Sequence, residues 1–552
     1  MITSRYVTIV TAVLLSICLI ACGFIAHTSS VAGSGKVPEY QKRLFSDQII
    51  TLEIQVDQDE WQGLLDNALA KEWICGDLII NGERFSMVGI RTKGNSSLSQ
   101  VANSASNRYS LQFKFNHYIK GQTYYGLDTF CVNNVLGDAT YMKDYISYEI
   151  MKHIGVVTPL VNYANVTVNG EDYGFCLALE RYDKAFLGRV YGTSGGQLYN
   201  VKIQMGQRGN FEDMWQDVVN GPIIRQQGNI GGRQPGGAGF GGQSGGGSLI
   251  YTDSSIGSYS AIFNNAVFSN NSDKDKQRVV TAIEALNAGT DLEKYFDVDA
   301  ILRYFAAHTV VVNLDSYVSN MAQNYYIYER DGKLTILPWD YSLAFGGFQS
   351  GSASDVVNFP IDTPVSGVSI EDRPLLNKLL EVDDYLAKYH EYLRQIVEGF
   401  FESGLFESTI NRIDAKIDWY VKNDASAFYT YEQYKASLPV LIELGRLRAE
   451  SIKGQLGGAI PSTSSGQRSD NFSLIDASGI NLSALGSLGG GMGQGGMQGG
   501  IQGGQGVFPG GQDPGGWNWQ PGWQEAAPPV PEVIFGGQRM DPRGGGFNVP
   551  GG

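Results

Sequence analysis

Cysteine is scarce in this chain, with five residues in 552. Cys18 and Cys22 fall in an N-terminal apolar stretch, and Cys75, Cys131 and Cys176 are spaced too widely for a disulfide framework or a zinc site. These three are read as buried free thiols. Positive charge is short as well, the net charge being −15. Nucleic-acid phosphate needs a basic surface, so general nucleic-acid binding is excluded. No Walker loop, serine-hydrolase elbow or His-Glu-x-x-His motif occurs, which removes several common enzyme classes.

Glycine is in excess, at 71 residues, and it is clustered. One cluster is an insert at about 225–248, with "GNIGGRQPGGAGFGGQSGGGS" at 228–248. The other is the tail, 457–552, which holds "GGGMGQGGMQGGIQGGQG" and keeps no collagen period. Neither has the apolar side chains to offset chain entropy, so both are expected to be disordered spacers. Trp517, Trp519 and Trp523 leave a wall-directed role for the tail open.

The chain begins "MITSRYVTIVTAVLLSICLIACGFIAH", one Arg followed by an apolar run from Tyr6 to Ala21. This is the layout of a secretory signal peptide, and it is nearly long enough to be an uncleaved anchor. "LIAC", Leu19 to Cys22, resembles the bacterial lipobox, in which the cysteine is lipidated and becomes the mature N-terminus. The expectation is a signal at 1–22, a linker at 23–45 and export, with the protein held on the membrane through Cys22.

A folded region is expected over 46–456. "IITLEIQV" alternates as a strand does. "DLIINGERFSMVGIRTKG" reads as a hairpin closed by Asn81-Gly82, with Val88, Ile90 and Thr92 on one face and Arg91 and Lys93 on the other. "RYSLQFKFN" buries Tyr109, Leu111, Phe113 and Phe115 and sets Lys114 opposite. A second Asn-Gly hairpin, at Asn169-Gly170, ends at Glu180. From about Asp275 helical periodicity takes over, which gives an α+β protein with strands first and helices second. Between the hairpins, "DATYMKDYISYEIMKHIG" reads as a helix whose apolar stripe of Met142, Tyr145, Ile146 and Ile150 encloses Glu149. A carboxylate on that stripe needs a cationic or hydrogen-bonding partner, or else swings to solvent.

The chemistry-bearing set is "VVVNLDSYVSNMAQNYYIYERDGKLTILPWDYSLAFGG". Asp315 is followed by Asn320, then by a hairpin closed at Asp331-Gly332, then by Asp340. Three oxygen ligands at one end of a hairpin suit magnesium, and protein kinases carry their catalytic and metal-binding residues in this order.

"VGIRTKGNSSL", "NYANVTVNGEDYGFCLALERYDKAFL" and "LTILPWDYSLAFGG", in this order, resemble the CotH family of spore-coat kinases. The resemblance implies an atypical two-lobed protein-kinase-like fold, ATP with Mg2+ (or Mn2+), and phosphorylation of Ser/Thr-rich coat or surface proteins. It implies Asp315 as catalytic base and Asp340 as metal ligand, with Asn320 and Asn324 competing for the second ligand position. It places Arg91 and Lys93, with the donors of Gly94, Asn95, Ser96 and Ser97, over the phosphates, and Glu180 where a lobe-connecting hinge would fall. Glu149 would pair with a phosphate-contacting lysine, either Lys93 or Lys114. The kinase Gly-x-Gly-x-x-Gly and Val-Ala-Ile-Lys motifs are absent, so that lysine is not identified by motif. Two rival readings remain: a non-catalytic coat or surface scaffold, and a wall-binding protein using its 30 tyrosines and its tryptophans. The spore coat is the alternative location.

Overall fold

The computed structural model describes residues 37–202, 245–486 and 488. Cys22, the signal stretch, most of the glycine-rich insert and the tail beyond Leu488 lie outside the described residues. No described helix is long and apolar enough to cross a membrane.

Seven strands close into a barrel in the order β1-β2-β3-β4-β5-β7-β6. They are β1 Ile50–Val56, β2 Ile74–Ile80, β3 Glu83–Lys93, β4 Ser110–Lys114, β5 Thr129–Asn133, β6 Val161–Val168 and β7 Glu171–Glu180. All neighbours are antiparallel except β1 and β6, whose parallel pairing closes the ring. Period-2 alternation drives this. Leu52, Ile54, Val88, Ile90, Leu111, Phe113, Phe130 and Val132 fill the interior and are fully buried. Each is worth roughly 1.5–3 kcal/mol against exposure. The expected facing holds, with Val88, Ile90 and Thr92 buried and Arg91 and Lys93 outward. Asn81-Gly82 and Asn169-Gly170 turn with positive φ at both residues, as tight hairpins require.

A second sheet, β8 Gln197–Val201, β9 Tyr325–Arg330 and β10 Lys333–Pro338, has the order β10-β9-β8. The helices that frame the site are α1 Glu39–Leu44, α2 Ser96–Ala102, α3 Lys143–His153, α4 Lys184–Tyr191, α5 Val298–Val311, α6 Leu405–Lys422 and α7 Tyr431–Leu456. α5 is buried on nearly every side, from Val298 to Val311, and so forms the centre of the helical region. The α+β reading holds, strand-rich first and helix-rich second.

The expected boundaries need three corrections. Folding begins before residue 46, because Tyr40 of α1 is buried and donates to Glu180 at 2.7 Å. It continues past 456, through a helix at Ser464–Ser469 to a 3₁₀ turn at Leu482–Leu485, with Ala477 and Leu485 buried. These apolar residues are too sparse to show a period. The end of the insert is also packed: Tyr325 Oη donates to Gly247 O at 2.7 Å. At Gly246, φ is +85° and a Cβ would stand 2.6 Å from the Tyr259 ring, so only glycine fits. Of the three cysteines, Cys131 and Cys176 are buried as read, while Cys75 is only half-buried.

Candidate functional site

The outer faces of β3, β4, β5 and β7 form one wall of a cleft. Register sets Arg91 opposite Gln112, Gln112 opposite Cys131, and Lys93 opposite Ser110. Lys93 Nζ donates to Asn133 Oδ1. Arg91 donates to Gln112 Oε1 at 3.0 Å and lies over the Trp73 ring at 4.5 Å. Lys71, Arg181 and Lys202 crowd the same wall. Burial first, then Arg181, Lys71, Lys93 and Arg91, push the Lys202 amine down to about 8. Lys71 is lowered by burial and then by Arg91 and Lys93. Arg181 sits over Trp339 at 5.2 Å. Positive charge here leans on amides and aromatic rings.

Carboxylates make the opposite wall. Asp340 leaves β10 at φ +62°, a left-handed conformation that costs a non-glycine residue energy and that clusters at functional sites. Its carbonyl accepts from Asn313 Nδ2 at 2.9 Å, and its carboxylate accepts from Ser342 Oγ at 2.8 Å. Asp315, on the loop after α5, accepts from Gln323 Nε2 at 2.7 Å and from Asn324 Nδ2 at 2.9 Å. Burial pushes the Asp315 carboxyl up to about 6, the Asp340 charge adding to it and the two amides opposing it. Lys93 and Asp340 line one pocket, with Asp144 between them in the chain.

Asp144 is the residue that sequence reasoning missed. It lies in the first turn of α3, 3% exposed, and accepts from Tyr341 N at 2.6 Å. Burial and then Asp340 push its carboxyl up to about 8. Its signal in the sequence is "MKDY", a Lys-Asp pair that opens the helix. Glu149 is instead an edge residue, paired with Lys152 at 3.0 Å, their side chains 28% and 39% exposed. The expected pairing of Glu149 with a phosphate-contacting lysine is corrected to Asp144 as the carboxylate of this helix that enters the cleft.

The other expected residues divide. Lys114 pairs with Gly89, two rows away from Lys93, and does not line the pocket. Glu180 is fully buried and taken up by Arg189 at 2.6 Å, Tyr40 and Leu160 N, so it is a barrel-rim anchor with no face on the cleft. Gly94 turns the chain at φ +121°, Asn95 accepts from Lys71 at 2.9 Å, and Ser96 opens α2 beside the pocket. Of the two asparagines, Asn324 holds Asp315, whereas Asn320 lies against Gly367 and bonds to neither aspartate among the described residues.

His308 on α5 ties the two acidic loops together. Its Nδ1 is 2.8 Å from Tyr341 Oη, and its Nε2 is 3.0 Å from Ser316 Oγ. Tyr341 follows Asp340 and Ser316 follows Asp315, so one buried ring sets both aspartates. Burial holds that ring down at about 4.

Among the described residues no three His, Cys, Asp or Glu side chains gather into a ready metal cage. Asn313 Oδ1 is buried without a hydrogen-bond partner beside Asp340, whose charge helps raise the carboxyls of Asp144 and Asp315. This donor set fits a hard divalent cation that takes one or two carboxylates and completes its shell with phosphate oxygens.

The family described as CotH kinase protein matches residues 90–452, a span that contains Lys93, Asp144, Asp315 and Asp340. The inner spore coat protein H of Bacillus subtilis (strain 168) is 20% identical over 344 residues, covering 61% of this chain and 81% of that protein. With the family match spanning well over half its length, this chain belongs to the CotH family.

Proposed function

We propose that this chain is a protein kinase of the CotH type, transferring the terminal phosphate of ATP to Ser or Thr hydroxyls of coat or surface proteins. One observation carries the reading: Lys93, with other cations around it, shares one pocket with Asp144 and Asp340, and Asp315 lies near enough to Asp340 to feel its charge. A phosphate chain with a divalent cation carries both signs in that order. The barrel would serve as the nucleotide-covering lobe and the helical region as the catalytic one, a kinase-like division.

Asp340, with the unpartnered Asn313 Oδ1 beside it, would hold Mg2+ or Mn2+. The metal's chemistry there is charge neutralisation on the phosphates. Lys93 would hold the phosphate oxygens in place. Asp315, kept in position by Gln323 and Asn324, would accept the proton of the attacking hydroxyl. The relative named as a spore coat protein supports a coat substrate, and the signal-like N-terminus supports export with a lipid at Cys22. ATP affinity of the purified chain with Mg2+ and with Mn2+, followed by phosphate incorporation into candidate coat proteins, tests the reading. An absence of nucleotide binding under both metals would leave the scaffold role instead.

A further inference from the structure

Beyond α7 the chain runs back to the cleft. Ile475 N and Ala477 N are tied to Asn358 Oδ1 and Ser354 Oγ, each at 3.0 Å. The turn Leu482–Leu485 then reaches the loop between β5 and α3. Leu485 O accepts from Ala139 N at 3.1 Å, and Gly486 O accepts from the Lys143 ammonium at 2.8 Å. Lys143 is fully buried and also donates to Gly137 O at 3.1 Å, so one cation pins both strands of chain together. Leu488 follows, lining the pocket with Lys93, Asp144 and Asp340 and packing in the cluster of Leu98, Val101 and Leu136.

We propose that Leu482–Gly486, with Leu488 as its tip, is a strap over the metal-and-phosphate end of the cleft, and that a phosphate-bearing ligand must displace that tip. The ligand's identity rests on the nucleotide reading above; the closure does not. Hydrocarbon packed among Lys93, Asp144 and Asp340 can neither hydrogen-bond nor solvate them, an arrangement that favours exchange for a ligand carrying charge of its own. Among the described residues the tip is held by one half-buried leucine, while Leu485 and Gly486 are bonded to Ala139 and Lys143, so the tip can lift without unfolding the segment.

The test uses the full chain carrying Ser97→Cys, a pocket-lining position. Iodoacetamide labelling is read at that peptide by mass spectrometry, and MgATP affinity is measured on the same strap variants with Ser97 intact. Leu488→Glu sets a carboxylate against Asp144 and Asp340 and expels the tip. Gly486→Val lifts the strap from the other side, since at φ +76° its Cβ would stand 2.6 Å from Tyr429 Oη and 2.8 Å from Ala139 N. Both should speed labelling roughly tenfold, as expected when a locally closed segment opens. Both should also tighten MgATP binding by roughly the same factor, because the closed fraction no longer taxes affinity. Leu488→Met should behave as the parent. Equal labelling in the parent and both variants overturns the strap. Faster labelling with unchanged MgATP affinity overturns the competition. Faster labelling with no MgATP binding in any protein upholds the closure and removes the nucleotide reading instead.

Discussion

Two sets of basic side chains on the barrel are treated in opposite ways. Arg108 and Arg189 each close on a carboxylate, Asp424 and Glu180, both at 2.6 Å, and Arg108 and Asp424 are only 1% exposed. Lys93 and Arg91, on the cleft face, meet the amides of Asn133 and Gln112. A guanidinium sealed on a carboxylate has its charge neutralised inside the fold and serves architecture, here joining β4 to the loop after α6. A cation resting on neutral amides keeps its charge for an anion from outside. The distinction separates scaffold from site, and it is a matter of partners, since both sets are basic side chains at or beside the barrel.

Breaking the acidic wall should give the largest effects. Asp340→Asn should abolish transfer and weaken Mg2+-dependent ATP binding. Asp315→Asn should leave ATP binding nearly intact while transfer falls on the order of a hundredfold or more. ATP affinity with and without Mg2+, measured beside phosphate incorporation, checks both. Wild-type behaviour in both variants would return these aspartates to turn duty.

Scaffold cations come next. Asp424→Ala strands Arg108 in the interior and should cost about 3–5 kcal/mol, read as a lowered urea midpoint. Arg108→Met combined with Asp424→Leu should recover most of that loss, because neither charge is then left unpaired. A stability loss near zero for Asp424→Ala would erase the contrast between paired and unpaired cations.

His308 gives a pH-dependent effect of intermediate size. Its folded value of about 4 lies below the ordinary value near 6.5, so the native state refuses a proton that the unfolded chain accepts. The stability it confers is fully present above about pH 6.5 and is lost as pH falls towards 4, by about 3 kcal/mol in all. Melting curves across that window should be steeper for wild type than for His308→Gln. Parallel curves would mean that the ring already carries its proton in the fold.

Lys93→Met sharpens the comparison from the other side. Stability should move by no more than about 0.5 kcal/mol. ATP affinity should fall roughly tenfold, about 1.4 kcal/mol, because the cation that meets the phosphates is gone. A stability loss as large as that of Asp424→Ala would make Lys93 a scaffold residue.

Strands and hairpins were legible because period 2 and Asn-Gly turns are local rules. Arg91 and Lys93 landed on the cleft face for that reason alone. Asp315 and Asp340 were legible through their order around a hairpin. Asp144, His308 and the strap were not. Asp144 matters through Tyr341, 197 residues away in the chain, and His308 through two loops that only the fold brings together. The strap's apolar residues each dock singly, so no window of sequence shows a face. Glu149 misled for the converse reason. Helical spacing placed it on the stripe, but spacing cannot show that the stripe's edge meets water.

Glu149→Gln should therefore have the smallest effect of all. Its partner Lys152 is three residues along the same helix and more than a third exposed. Such a pair is worth about 0.2–0.5 kcal/mol and less in salt. Melting temperature should stay nearly constant, and ATP affinity should be unchanged. Asp144→Asn, on the same helix, keeps the acceptor for Tyr341 N but removes a carboxyl that ionises only above about pH 8, so Mg2+-dependent ATP binding measured above that pH should respond to it. Equal responses from the two variants would mean that α3 acts on the cleft only as a packed rod. A loss of affinity in Glu149→Gln alone would make Glu149, and not Asp144, the carboxylate that organises the phosphate-binding lysine.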